Sequence, residues 1–229
     1  MYVGAMFDDT RTVLADPNEN LYGDALLVAY YNRIQEEIAA ILRQHGAEIA
    51  MSSGTITGDG SAQSYVLPTD FLAFVPSTFL PRSPITATSN YSHGAPLLHV
   101  DPMDRRFMTT PTAASSPTMF CLTTSGTSQY VKFNTIPTSG HLYDYHYWPT
   151  ITKVAVGASL DTTSTPWLGL LDQLFSRSLE EYCREGKEFT TEHRALWRAR
   201  AEADCVSLLG LRHLKVQQPN PSLWRGFPW

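Results

Sequence analysis

Charged side chains are scarce in this sequence. Asp, Glu, Lys and Arg make up 17% of its 229 residues, whereas soluble domains carry roughly 25%. Either part of the surface is buried against partners, or a surface rich in Thr and Ser takes the place of charge. Positive charge is the scarcer sign, and the formal net charge is −5. Proteins that recognise DNA sequences usually carry a basic stripe, so we expect no sequence-specific DNA binding.

Cysteines and long apolar runs are also rare. Cys121, Cys183 and Cys205 lack a CxxC spacing, which indicates free thiols in a reducing cytoplasm rather than a disulfide scaffold. The N-terminus has no basic segment followed by an apolar core, and this predicts no signal peptide. The longest apolar run, about residues 25–31, is too short to span a membrane. We expect a protein made in a cytoplasm, with no membrane partner.

The sequence lacks the common motifs of catalysis. It has no P-loop and no dinucleotide fingerprint, and the residues around Ser125 lack the pattern of a nucleophile elbow. Adjacent carboxylates occur as Asp8-Asp9, Glu36-Glu37 and Glu180-Glu181. Neighbouring residues of a helix point about 100° apart, so these pairs predict solvated helix faces rather than a catalytic pair. We expect a protein that is not an enzyme and needs no cofactor.

The histidines are scattered and predict no metal site. His141 and His146 fall on opposite faces of a predicted strand, so they cannot share a metal ion there. His93 and His99 lie close in sequence to Asp101 and Asp104. A metal site built from these four residues is the less favoured alternative.

The pattern of residues 1–46, the first zone of the chain, predicts helices. Residues 6–15 form a short helix that ends before Pro17, and Asp24 starts a longer one as its N-cap or first-turn acid. Gly46 is predicted to end that helix. Its apolar stripe has spacings of three and four and consists of Leu27, Tyr31, Ile34, Ile38 and Ile41.

Residues 47–158 predict β-structure. A hairpin is expected where 49–57 and 61–67 flank Gly58-Asp59-Gly60, and a second where 119–124 and 129–134 flank 125–128. Residues 141–148 carry aromatic rings on both faces, which indicates a buried or sandwiched strand. The Pro-, Ser- and Thr-rich stretch 76–117 predicts an ordered excursion without regular strands.

The last zone predicts helices again. Thr165 and Pro166 are placed at the start of a helix that ends at Gly186, with a stripe of Leu168, Leu171, Phe175, Leu179 and Tyr182. A further helix over 191–211 is predicted to bury Ala195, Ala199, Ala203, Val206 and Leu209. The predicted fold class is α+β. It consists of an antiparallel helical bundle (1–46 and 159–213), a β-rich insertion (47–158) and an extended C-terminal tail (214–229).

Two groups of residues are candidates for binding. The basic residues Arg194, Arg198 and Arg212 of the last helix form either a solvated face or a secondary contact with an acidic partner or DNA. In the tail, Trp224, Arg225, Phe227 and Trp229 combine large rings with a charged group, as interface residues often do. These rings either fold back onto their own domain or dock on a neighbour.

Three stretches, taken in order, point to a known family. The first is VLADPNENLYGDALLVAYYNRIQEEI, the second SYVLPTDFLAF, and the third HLYDYHYWPTIT followed by PWLGLLDQLFSRSLEEYCREGKE. Their order and spacing over about residues 7–212 resemble the phage head-to-tail adaptors, the tail accessory factors of short-tailed phages and their relatives. The positions that fit the family's first pattern are Asp16, Tyr22, Asp24, Leu27, Tyr31 and Asn32.

The resemblance implies a structural virion protein of the neck or tail, made in the host bacterial cytoplasm. It implies a ring, expected to be twelvefold, that joins the portal to a tail or nozzle protein and continues the DNA channel. The mildly acidic charge suits a lumen through which DNA slides. The C-terminal rings are then predicted to bind the portal. Two rivals are a tail or fibre module that binds host-surface glycans, and a wall-degrading enzyme of the virion.

Overall fold

The structure, a computed structural model, describes most of the chain. The described residues are 2–16, 18–75, 80–84, 91–108, 114–157, 160, 163–165, 167, 171–185 and 190–210. For 80–84, 91–93 and 108 the structure describes the backbone alone. They form two compact units. The first holds the described residues of Met1–Ala50 and Ile151–Trp229, and the second those of Met51–Thr150.

Helices and strands follow one another unevenly along the chain. The helices are α1 (Val3–Val13), α2 (Asp24–Gln44), α3 (Arg105–Met108), α4 (Asp172–Glu185) and α5 (Thr191–Leu209). The strands are β1 (Ser52–Thr57), β2 (Ser64–Val66), β3 (Phe71–Phe74), β4 (Leu80–Pro84), β5 (Tyr91–His93), β6 (Leu98–His99), β7 (Ala114–Ser115), β8 (Met119–Ser125), β9 (Ser128–Phe133), β10 (Ile136–Pro137) and β11 (Leu142–Pro149).

In the first unit α2 contacts both α4 and α5, and α1 contacts α4. The predicted apolar stripe of α2 is confirmed, since all five of its residues are buried. The helix ends at Gln44, and Gly46 adopts a left-handed φ of 64°, so the predicted glycine stop is also confirmed. The chain before α1 pairs with a distant non-helical segment through a bridge between Tyr2 and Ser164.

The helix α4 begins later than the sequence predicts. It starts at Asp172, and Thr165 is buried outside any helix. The physical reason is the backbone of Trp167, whose φ of 57° is incompatible with a right-handed helix. The predicted stripe is nevertheless confirmed over its described part, because Leu171, Phe175, Leu179 and Tyr182 are all buried. Pro166, Leu168 and Gly186 lie outside the described residues.

The second unit holds two larger sheets and a small parallel pair formed by β7 and β10. In the five-stranded sheet the order is β1-β11-β4-β5, and β3 also pairs with β11. In the four-stranded sheet the order is β2-β9-β8-β6. Side chains from both sheets meet in one core, where the Phe74 ring lies 5.0 Å from Phe120 and the Phe133 ring lies 5.0 Å from Tyr143.

One predicted hairpin is confirmed and the other is wrong. β8 and β9 pair antiparallel up to Ser125 and Ser128. By contrast, β1 pairs with β11 and β2 pairs with β9, so Gly58-Asp59-Gly60 links two different sheets. The carboxylate of Asp59 accepts hydrogen bonds from the amides of Ser61 and Ala62, both at 2.8 Å. This Asx turn is stabilised by Asp59 and the two residues that follow closely in sequence, so it does not require that the flanking strands pair as a hairpin. The same hydrogen bonds lower the pKa of Asp59 to about 2.

Two further predictions for the β-rich zone need correction. The stretch 76–117 is not free of regular strands, because β4, β5, β6 and β7 all fall within it. Strand β11, which was expected to be buried or sandwiched, pairs with β1, β3 and β4, and one of its faces is fully buried through Tyr143, Tyr145 and Tyr147. Its other face is mixed, because Trp148 is buried but His146 is exposed.

The predicted architecture, an antiparallel helical bundle with a β-rich insertion, is wrong, although the α+β class is right. Among the described residues five helices share the chain with three sheets, and the β-rich unit builds a core of its own. The error has a physical source. An apolar stripe shows that a helix packs against something, but it does not show against what or at which angle. The predicted tail, 214–229, lies outside the described residues.

Candidate interaction surfaces

The last helix, α5, presents a different face to solvent from the one the sequence predicts. Its buried residues are Trp197, Ala201 and Cys205, spaced four apart. The Trp197 ring meets Tyr182 of α4 edge-on, with centroids 5.4 Å apart. The predicted inward residues Ala195, Ala199 and Ala203 are instead exposed, and Val206 and Leu209 are half-buried.

The predicted helix over 191–211 is observed as Thr191–Leu209, and both of its ends are capped. The Thr190 hydroxyl accepts a hydrogen bond from the amide of His193, which is an N-cap. Gly210 closes the helix with a φ of 58°, a conformation that glycine adopts without strain. A capped helix with a narrow buried stripe leaves much of its surface available to partners.

The predicted basic residues of α5 differ in exposure and in ion pairing. Arg194 donates two hydrogen bonds to Glu37 of α2, one of them from Nε at 2.8 Å. Arg198 is exposed and has no ion pair with any described residue. Arg200 pairs with Glu181 at 3.2 Å. Arg212 and the tail residues Trp224, Arg225, Phe227 and Trp229 lie outside the described part of the chain.

The pairing of Glu37 corrects a prediction. The Glu36-Glu37 pair was expected on a solvated face, but the side chain of Glu37 is only 8% exposed. Glu36 fits the expectation better, since it is half exposed and pairs with Lys153 at 2.7 Å. The sequence offered no signal for the difference, because Arg194 is far away in the chain and each residue alone looks like surface charge.

Buried charge also fixes the loop between α1 and α2. The carboxylate of Asp16, which is 5% exposed, accepts hydrogen bonds from the amides of Asn20, Leu21 and Tyr22 at 2.8–3.0 Å. Burial by itself would raise the pKa of Asp16, but these backbone bonds and the charge of Arg11 lower it.

Arg11 completes this network from α1. Its buried guanidinium donates to the Tyr22 carbonyl at 3.0 Å and also pairs with Asp8, Glu19 and Asp24. Sequence reasoning missed Arg11, because it lies beside two acidic residues on an otherwise polar stretch. The network ties the described residues of the loop to α1 and to the start of α2.

The remaining residues that fit the family's first pattern are structural as well. Leu27 and Tyr31 are core residues of α2. The Tyr22 hydroxyl donates to the Cys183 carbonyl at 3.2 Å. The Asn32 carboxamide bonds both the amide and the carbonyl of Val154, each at 2.8 Å. The pattern therefore marks residues that pack and hydrogen-bond within this unit.

The candidate metal and catalytic residues do not converge among the described side chains. His99 stacks on Phe120, with ring centroids 5.0 Å apart. Asp101 caps the amide of Met103, and Asp104 pairs with Arg106. The side chain of His93 lies outside the description. Within the described part, no group of three or more His, Cys, Asp or Glu residues could hold a metal ion.

The other acidic pairs lie on or near the surface. Asp8 is 75% exposed, and Asp9 is exposed too, as predicted. Glu180 and Glu181 are about one quarter and one third exposed and pair with Arg184 and Arg200. None of the helices in the described chain is long and apolar enough to cross a membrane.

Comparison with known proteins adds one match. The family model described as SU10 adaptor protein matches residues 1–213, which is most of the chain. A search of the curated proteins finds no significant match.

Proposed function

Because the chain belongs to the SU10 adaptor protein family, a family of phage structural adaptors, we propose that it forms a ring between the portal and the tail of the virion. The resemblance to phage adaptors drawn from the sequence is confirmed by this match. The match over residues 1–213 is the observation that carries the proposal. The ring is twelvefold, binds a tail or nozzle protein on its far side and surrounds a channel for DNA.

The ring requires a head-to-tail interface, in which one face of each subunit meets a different face of the next. The low charge content supports this, because residues buried between subunits are depleted in charge. The exposed face of α5, with Leu196 and Leu208 about half exposed, is a further surface available to partners. The protein acts by assembly and carries out no reaction of its own.

The tail is proposed to bind the portal. Pro219, Pro221 and Pro228 favour extended geometry, which lowers the entropy lost on docking. Trp224, Phe227 and Trp229 are of the types that dominate interface energy, and Arg225 adds a charged anchor. Arg198 and Arg212 provide the secondary contact. We leave Arg194 out of this contact because it is engaged with Glu37.

Native mass spectrometry of the full chain, alone and with purified portal, tests the ring. We expect a closed oligomer in the presence of portal, whether or not the free chain is monomeric. A two-fold dimer in both samples would overturn the proposal.

Deleting residues 217–229 tests the tail. The expected result is an almost unchanged thermal midpoint and a loss of portal binding. A second variant, Arg198→Ala, removes part of the proposed secondary contact and should leave the midpoint unchanged and weaken portal binding only in part. Full portal affinity after the deletion would place the anchor elsewhere, and unfolding after the deletion would make the tail part of the core.

A further inference from the structure

A groove of about 650 Å³ runs along the solvent-facing side of α2. Ala29, Arg33 and Glu36 line it and are exposed, and their spacings of four and three residues place them on one side of the helix. Ala40 also lines it, eleven residues or about 16 Å beyond Ala29. This α2 groove is therefore open to the side chains of a partner over about three helical turns.

The α2 groove holds one cation more than it holds carboxylates. Glu36 pairs with Lys153 at 2.7 Å. Glu37 accepts two hydrogen bonds from Arg194. The third cation, Arg33, has no ion pair with any described residue. A free guanidinium pairs well with a carboxylate, which it can bind through two parallel hydrogen bonds, so the groove is suited to an acidic partner.

Acidic groups surround α1, the first helix of the same unit. Four carboxylates there are about half exposed or more, and they form an acidic surface that consists of Asp8, Asp9, Glu19 and Asp24. Arg11 pairs with three of them, and the described residues supply them with no second cation. Four carboxylates and one guanidinium leave an excess of three negative charges. The acidic surface is therefore complementary in charge to the α2 groove.

The acidic surface and the α2 groove lie on opposite sides of α2. The ring of Phe7 in α1 packs against Tyr31, with centroids 6.0 Å apart. Tyr31 is two residues away from both Ala29 and Arg33, which places it about 200° around the helix from either. Asp9 in turn is two residues from the buried Phe7, so it points away from α2. A subunit therefore cannot place its acidic surface in its own groove.

Two complementary surfaces on opposite sides of a subunit are what a closed ring requires. Each subunit of a ring contacts its neighbours through two different faces. Neighbours in a twelvefold ring are rotated by about 30° relative to each other, so the two faces lie on nearly opposite sides of the subunit. A two-fold dimer would need one self-complementary face. The excess charge on each of these two surfaces has a single sign, so each surface repels a second copy of itself.

We propose that the acidic surface of one subunit docks in the α2 groove of the next subunit, with Asp9 paired to Arg33. Ala5 and Thr12 are exposed and lie four and three residues from Asp9, on the same side of α1. Both are small enough for the two helices to approach closely. The eleven residues of α1 also match the length of the groove. This inference rests on the proposed ring and assigns its interface.

Reversing the two charges tests the contact. Asp9→Arg and Arg33→Asp are prepared as full-length chains and mixed with portal. Each variant alone sets like charges against each other at every subunit boundary, and we expect each to raise the concentration needed for ring assembly about tenfold or more. An equimolar mixture of the two should assemble near the wild-type concentration, because alternating subunits bring opposite charges together at every boundary. Native mass spectrometry should then find equal numbers of the two variants in each ring.

Glu48→Arg is the matched control. Glu48 is exposed in the same unit and lies outside both surfaces, and its substitution changes the net charge as Asp9→Arg does. This variant should assemble at the wild-type concentration. The mixture also controls for folding, since two misfolded chains would not assemble when combined. The thermal midpoints of both reversed variants should stay close to that of wild type, because Asp9 and Arg33 are exposed.

Disulfide formation provides a second measure of the same contact. A full-length chain that carries both Asp9→Cys and Arg33→Cys places a facing pair of thiols at every boundary. Oxidation in the presence of portal should therefore produce a covalent ladder of several subunits. The three native cysteines are buried and leave the reaction to the new thiols. A chain that carries Asp9→Cys and Glu48→Cys should form no ladder.

The outcomes separate this inference from the proposed function. A wild-type ring together with normal assembly of either reversed variant alone would overturn the contact and leave the ring standing. Failure of the mixture, when each variant alone also fails, would overturn the contact as well, and so would a wild-type ring whose double-cysteine counterpart forms no ladder. A wild-type chain that forms no ring with portal would overturn both the contact and the ring.

Discussion

The carboxylate of Glu37 on α2 accepts two hydrogen bonds from the guanidinium of Arg194 on α5, and the two side chains are 8% and 47% exposed respectively. Removing the arginine leaves a buried carboxylate without its partner, whereas removing the glutamate leaves a cation that water can solvate. We therefore predict that Arg194→Ala lowers the free energy of unfolding by about 1–3 kcal/mol and that Glu37→Ala costs less. Denaturant unfolding measures both.

Arg198→Ala is the control for this pair, because Arg198 is exposed on the same helix and has no ion pair with the described residues. It should change stability by less than about 0.5 kcal/mol. Equal costs for Arg194→Ala and Glu37→Ala would contradict the asymmetry. The double variant Glu37→Leu with Arg194→Ala should recover part of the loss, since it leaves no unpaired charge.

The loop carboxylate of Asp16 predicts a pH dependence. Its pKa in the folded protein lies below the ordinary value because backbone amides and Arg11 outweigh its burial. A depressed folded pKa contributes stability above the unfolded pKa of about 4, and this contribution is lost as pH falls through the folded pKa. Asp16→Asn should therefore lower the thermal midpoint clearly at pH 7 and progressively less on acidification below pH 4.

Thermal unfolding at several pH values between 7 and 3 checks this prediction. Asp9→Asn serves as the control, because Asp9 is exposed and makes no hydrogen bond to another described side chain. A difference between wild type and Asp16→Asn that stays constant with pH would show that the carboxylate's charge is not what holds the loop.

Local patterns in the sequence predicted the helices and strands themselves better than they predicted which of these elements pair with one another. The stripe of α2 and the turn between β8 and β9 depend on neighbouring residues, and both are confirmed. The pairing of β1 with β11 joins Ser52 to Tyr147, and no local signal encodes so distant a partner. The glycine-containing turn at 58–60 suggested a hairpin, and this was wrong because the same turn residues also occur where the chain passes from one sheet to another.

The α5 error has a different cause. Ala195, Ala199 and Ala203 follow the same four-residue spacing as Trp197, Ala201 and Cys205, so periodicity alone fits two faces. The large indole of Trp197 decides which face is buried, because it contributes far more apolar area than an alanine does. The pairing of Glu37 with Arg194 and the role of Arg11 likewise depend on residues brought together only by folding.

A close approach at Gly54 predicts a sharp mutational effect. In β1, a Cβ atom on Gly54 would lie 2.4 Å from the ring carbon Cζ of Tyr145 on the paired strand. Tyr145 is buried in the core of the second unit, so its ring has little room to move. We predict that Gly54→Ala lowers the free energy of unfolding by about 1–3 kcal/mol through overpacking.

Adding Tyr145→Leu to Gly54→Ala tests the cause, since the smaller side chain frees the space above residue 54. The double variant should lose less stability than the sum of the two single changes, as measured by denaturant unfolding. Strict additivity would show that the ring and the glycine do not compete for space.

The thiols give the last prediction. Burial raises the pKa of Cys183 to about 12, with Glu180 adding to it, and raises the pKa of Cys205 to about 12, with Asp204 and Glu202 adding to it. Burial raises the pKa of Cys121 as well. The thiolate is the reactive form, so a raised pKa and a buried sulfur both slow modification. At pH 7.5 we expect Ellman's reagent to label the native chain very slowly and to titrate three thiols once the chain is unfolded.

Cys205 lies on the buried face of α5, which makes it a reporter of that helix. If α5 detaches in the free subunit, Cys205 will label quickly while Cys121 and Cys183 stay protected, and peptide mapping will show the difference. Slow labelling of all three confirms that α5 stays docked on α2 and α4, whereas rapid labelling of Cys205 alone would contradict it.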